Sequence, residues 1–92
     1  MAGRLERRIM RLNDEIAALR EQERQAFEES QIHRHLNDDA ERDYAVSGHA
    51  FDRMDAEDTR GDVDRADRVV SRIRASREKL EAKRDKLLSR LG

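Results

Sequence analysis

Leu5, Ile9, Leu12, Ile16 and Leu19 follow one another at spacings of four, three, four and three residues. On an α-helix that spacing lines all five along one narrow stripe. A narrow stripe is nearly all the chain can offer. Leu, Ile, Val and Phe together supply 18 of its 92 residues, close to the level below which chains tend to stay disordered. A thick globular core is out of reach, whereas a coiled-coil seam needs only two apolar positions in seven. Charge does not force expansion, because 20 basic and 21 acidic residues cancel to −1. The absence of proline and the scarcity of β-branched and aromatic residues favour long solvated helices over sheets. The expected fold class is all-α.

Continuing the first phase gives Glu23, Ala26, Ser30, His33 and Asn37, a poor seam, which recovers at Ala40, Tyr44, Ser47, Phe51 and Met54. A second heptad run starts after Gly61 with Val63, Ala66, Val70 and Ile73. It continues through Arg77, Leu80, Arg84, Leu87 and Leu91, and Val69 and Leu88 widen it. A long antiparallel hairpin follows, with two competing turns. A turn at Thr59-Arg60-Gly61, with Asp62 capping the next helix, pairs Met54 with Val63, Phe51 with Ala66 and Tyr44 with Ile73. A turn at Ser47-Gly48 pairs Leu5 with Leu91, Ile9 with Leu87 and Ile16 with Leu80. Both keep the heptad phase.

Charge tilts the choice. Residues 33–64 carry four Arg against ten acids, and residues 65–92 carry ten basic residues against four acids. The Gly61 turn lays the basic helix on the acidic segment, although exposed pairs contribute only a few tenths of a kcal/mol each. The preferred organisation is a single helical domain over 1–92: a first arm over about 4–58, a turn near 59–61 and a second helix over about 62–91. Its seam uses Tyr44, Phe51, Met54, Val63, Val70, Ile73, Leu80 and Leu87. Leu5, Ile9, Leu12, Ile16 and Leu19 are then left bare, and a bare apolar stripe marks an interface. Self-association through them, giving a dimeric helical bundle, is the expected way to cover it. A break at Asn37-Asp38-Asp39, giving three helices, is the alternative within one chain.

The chemistry-bearing residues point away from catalysis. With no cysteine there is neither disulfide nor thiolate site. His33 and His35 are two apart and sit on different faces of a helix. His35–Asp39 and His49–Asp52 each bring only two ligands together, fewer than zinc or iron needs. His33 falls on the seam, where stacking on its own copy would make a dimer weaken at acid pH. No glycine-rich phosphate loop is present, and no activated serine context. A two-helix hairpin has no cleft to shift a carboxylate pKa. No enzyme, metal, cofactor or small-molecule substrate is expected.

The longest apolar run, Ile16-Ala17-Ala18-Leu19, is far short of a membrane span. No apolar signal segment follows the basic N-terminus, so a cytoplasmic location is expected. The cations of residues 65–90 spread around their helix without interleaved aromatics. They read as a solvated face answering the acidic arm, and nucleic acid is not the expected partner.

Asp52, Asp55, Glu57, Asp58, Asp62 and Asp64 crowd the preferred turn. An antiparallel hairpin with an acidic tip resembles, in architecture, the secondary-channel regulators of bacterial RNA polymerase, the DksA and Gre types. That resemblance implies tip carboxylates acting near the polymerase's catalytic magnesium. The Asp-x-x-Asp-x-Ala tip of the DksA type is absent: Asp55-x-x-Asp58 is followed by Arg60, and Asp64-x-x-Asp67 by Val69. The globular docking domain of those proteins is also missing. The expected function is therefore non-enzymatic: a coiled-coil oligomerisation or adaptor protein with itself or another protein as partner. The alternative is a small regulator of nucleic-acid machinery acting through the acidic tip or the basic helix.

Overall fold

A computed structural model describes residues 3–91. Two α-helices, α1 (Arg4–Ser47) and α2 (Ala50–Leu91), account for all of them except Gly3, Gly48 and His49. They pair as an antiparallel hairpin, and no strand occurs among the described residues. No helix among the described residues is long and apolar enough to cross a membrane.

α1 opens at Gly3, whose amide donates to the Glu6 carboxylate at 3.0 Å and whose carbonyl accepts from the Arg7 amide at 3.0 Å. Glu6 thus satisfies one of the orphan donors of the first turn. The helix runs unbroken through Asn37-Asp38-Asp39, so the three-helix alternative is not the architecture seen.

It ends where Gly48 takes φ +62°, a left-handed conformation that costs an L-residue roughly 1–2 kcal/mol and glycine almost nothing. There the Gly48 amide donates to the Tyr44 carbonyl at 2.8 Å, the bond of an αL cap. Ser47 completes the turn: its hydroxyl accepts from the His49 amide at 3.1 Å and donates to the Asp52 carboxylate. The His49 carbonyl then accepts from the Arg53 amide at 3.0 Å, starting α2.

The preferred turn at 59–61 is therefore corrected, and with it the division into a first arm ending at 58. Gly61 lies inside α2, and a lone helical glycine, at about 1 kcal/mol relative to Ala, is not a strong enough breaker to end a helix. The seam pairing through Phe51 and Met54 is corrected as well. The two residues between the helices reset the phase, so α2 turns Asp52, Ala56, Thr59 and Val63 inward and leaves Phe51 73% and Met54 54% exposed. Tyr44 is half-buried and stands near Ala56 and Arg60.

The chain divides into two compact units. The terminal unit combines Met1–Arg24 with Arg72–Gly92, and the turn unit is Gln25–Ser71.

In the terminal unit Ile9, Leu12 and Leu87 form a buried cluster, with Leu5 and Leu80 partly buried against it. Ile16 is 2% exposed. The stripe expected to be bare is covered by α2 of the same chain. Above this cluster the seam turns polar. Arg77 donates to Glu23 at 2.8 Å and to Glu81 at 2.9 Å, Arg74 reaches Glu23 at 3.3 Å, and Arg20 reaches Glu81 at 3.1 Å.

In the turn unit the buried residues are small: Ala26, Ser30, Ala56, Val63 and Val70. Ser30, fully buried, donates to Asp67 at 3.1 Å. The Asn37 amide donates to the Ala56 carbonyl and to the Thr59 hydroxyl, both at 3.0 Å. No buried polar side-chain atom among the described residues lacks a partner. Such pairings specify register at the expense of stability, because a slipped helix would strand each polar group without its match.

Hydrogen bonds from Arg77 hold the carboxyls of both Glu23 and Glu81 below the ordinary value of 4.5. A carboxyl whose pKa is lower in the folded chain stabilises it above the unfolded value, and that contribution disappears as pH falls through the folded one. Arg77→Met is therefore expected to lower the melting temperature at neutral pH. The gap from the parent chain should narrow as pH falls below the ordinary glutamate value of 4.5 and close once both carboxyls are protonated. Circular-dichroism melts at several pH values check this, and a gap that persists in acid would mean that Arg77 acts through packing alone.

Candidate interaction site

Residues one place after an inward position of α1 lie on one side of the seam, and those one place before it lie on the other. The two sides of the turn unit differ in chemistry. On the first, Arg34 pairs with Asp67 at 2.5 Å and Glu41 with Arg60 at 2.6 Å. These pairs bridge the helices and leave that side neutralised.

On the second side an open groove is lined by Leu36, Asp39, Ala40 and Asp43 of α1 and by Asp52, Asp55, Asp58 and Thr59 of α2. No Arg or Lys lines it. Asp39 has a distant pairing with Arg42 at 3.8 Å, and Asp52 is taken by the Ser47 hydroxyl. Among the described residues no cation pairs with Asp43, Asp55 or Asp58. Like charges facing across a groove repel, modestly in water and more strongly where water is displaced.

The groove is also partly apolar. Leu36 is 52% exposed, and Ile32, Val46 and Phe51 are exposed too. Ile32, Leu36, Asp39, Asp43 and Val46 repeat the spacing of the buried seam along a second stripe of α1. The His49 and Phe51 rings stack at 6.1 Å beside the turn.

The residues expected at an acidic tip do not crowd a turn. All six lie along α2, three of them (Asp52, Asp55, Asp58) in the groove. Asp62 pairs with Arg65 one turn on. Glu57 faces the other side near Tyr44, with Arg53 at 3.7 Å, and Asp64 is exposed. His33 stands opposite Asp62, Arg65 and Ala66 of its own chain. Among the described residues no three His, Asp or Glu side chains converge as metal ligands.

The terminal unit presents a cationic face. Arg4, Arg8 and Arg11 lie on one stripe of α1, and Lys79, Lys83, Lys86 and Arg90 on one stripe of α2. Lys79, Lys83 and Lys86 line an open groove with Leu80 and Ala82. Among the described residues none of these seven cations is in an ion pair. The expectation that they answer the acidic segment is corrected. The turn at Gly48 sets them beside the N-terminal stretch of α1, so 14 cations face 8 carboxylates in this unit, against 6 and 13 in the turn unit.

Sequence reasoning found the acids of α2 but missed Ile32, Leu36, Asp39 and Asp43, which lie off the seam of α1. A signal was present: in the Gly48 register Asn37 falls opposite Thr59, Ser30 falls one residue from Asp67, and Glu23 falls one helical turn from Arg77.

The chain matches no protein-family model, no curated protein and no solved structure.

Proposed function

We propose that this protein acts by protein–protein interaction, as a non-enzymatic adaptor or oligomerisation element whose contact surface is the Leu36 groove of the turn unit. One observation carries the reading: Asp43, Asp55 and Asp58, in no ion pair among the described residues, line one groove with an exposed Leu36, while the other side of the same unit is closed by interhelical ion pairs. An apolar centre with a charged rim is the anatomy of a protein interface. The sign of the rim makes the complementary surface basic. A non-catalytic role is supported by the grooves being open and by Ser30, the buried polar residue, being already engaged by Asp67.

The test uses a synthetic amphipathic helical peptide of Lys and Leu as probe, followed by fluorescence anisotropy at low salt. The chain is expected to bind it, and D43N/D55N/D58N to bind at least about tenfold more weakly, as loss of several complementary charges implies. E57N, on the neutralised side, should bind like the parent. Equal loss in both variants, or no binding by the parent, would refute the reading.

A further inference from the structure

We propose that the partner of the acidic groove is a second copy of this chain, docking through the cationic face of its terminal unit. The inference rests on the reading just given and names its partner.

Charge supplies the first argument. The turn unit holds 6 cations against 13 carboxylates, the terminal unit 14 against 8. Copies meeting through unlike units gain attraction, while a net charge of −1 per chain imposes almost no general repulsion. Spacing supplies the second. Phe51, Asp55, Asp58 and Asp62 recur at four, three and four residues along α2, and so do Lys79, Lys83, Lys86 and Arg90. Two helices laid side by side bring such stripes into step, as charges three and four apart do within one helix.

Cover for the apolar residues supplies the third. Lysine stems are aliphatic, and here they flank Leu80 and Ala82. They can lie over Leu36 and Phe51 while their ammonium groups reach the aspartates.

A nucleic acid would neutralise the same seven cations. It would leave Leu36 and Phe51 uncovered, it would meet no stacking aromatic among those cations, and the turn unit's carboxylates would repel it. A second copy answers both faces at once.

Native mass by light scattering on the full chain, over a dilution series, tests the proposal. At about 0.05 M salt the chain is expected to self-associate, and at about 0.5 M, where the Debye length falls well below 10 Å, to weaken at least tenfold. Two charge reversals follow, D43K/D55K/D58K and K79E/K83E/K86E. Each alone is expected to be monomeric, and an equimolar mixture to form a mixed complex. Should a reversal unfold by circular dichroism, the neutral sets D43N/D55N/D58N and K79Q/K83Q/K86Q replace them, each expected to weaken assembly at least tenfold.

A parent chain that stays monomeric at low salt overturns the proposal. So does a mixture of folded reversals that fails to assemble. A duplex oligonucleotide bound through Lys79, Lys83 and Lys86 by a monomeric chain also overturns it and assigns the cations to nucleic acid. A monomeric chain that still binds the Lys–Leu peptide through Asp43, Asp55 and Asp58 overturns the self-docking alone, whereas one that neither assembles nor binds the peptide overturns the groove reading too.

Discussion

Ile16→Asp is expected to leave the chain unfolded at 25 °C. Ile16 is 2% exposed and packs within one hairpin. Truncating a buried isoleucine to alanine already costs about 2–5 kcal/mol. A buried, unpaired carboxylate adds several kcal/mol to that. A small domain has only about 5 kcal/mol in hand, and a hairpin of 92 residues with a thin seam sits at the low end. The control is Ile32→Asp, the same chemistry at a side chain 59% exposed, which should stay within about 0.5 kcal/mol of the parent. Helicity by circular dichroism reads both. Were Ile16 covered by another chain instead, its variant would stay helical as a monomer, and the parent's melting temperature would rise steeply with concentration even at about 0.5 M salt, where ionic docking is screened.

The second large effect is a pair of glycine substitutions with opposite signs. Gly48→Val forces a β-branched residue into φ +62°, and should destabilise the hairpin by about 2 kcal/mol. A Cβ there meets nothing within 4 Å, so the loss comes from the backbone alone. Gly61→Ala should stabilise by up to about 1 kcal/mol, because alanine has the better helix propensity. The added Cβ would lie 3.5 Å from Nη1 of Arg65, an ordinary contact with a flexible side chain. Urea unfolding measures both. A turn at Gly61 would reverse the order, with Gly61→Ala the more damaging change.

The helices, their heptads and the inward face of α2 from Val63 to Leu87 were legible, because a 3.6-residue period written in Leu, Ile and Val survives any choice of turn. The register was not. Both turns preserve the phase, and net charge summed over segments of twenty or thirty residues misled. Helices meet side chain to side chain, and what decides is whether Glu23 finds Arg77, Ser30 finds Asp67 and Asn37 finds Thr59. Those residues read as a defective seam when α1 is considered alone. They become a matched one only against α2 folded back at Gly48. Phe51 and Met54 misled for a related reason: they continue the phase of α1 across a two-residue interruption that the backbone does not carry it through.

The acidic groove was half legible. Asp52, Asp55 and Asp58 stand out as a cluster in the sequence. Leu36, Asp39 and Asp43 lie on a stripe of α1 away from the seam, and they join the cluster only because the turn at Gly48 brings that stretch of α1 beside the start of α2. Likewise the cationic face exists because the same turn gathers Arg4, Arg8 and Arg11 with Lys79, Lys83 and Lys86. A hairpin closed at Gly61 would have spent those lysines on the acidic arm.

The seam, the acidic groove and the cationic face all depend on the Gly48 register, and the chain's lack of cysteine makes that register directly measurable. Two double variants, I9C/L87C and Y44C/I73C, would be oxidised at low concentration and their crosslinks read by mass on denaturing gels. A disulfide needs its Cα atoms within about 7 Å. Ile9 and Leu87 share one cluster, so I9C/L87C should close within a single chain, while Y44C/I73C should not. Intrachain closure of Y44C/I73C, with I9C/L87C left open or crosslinked only between chains, would contradict the account.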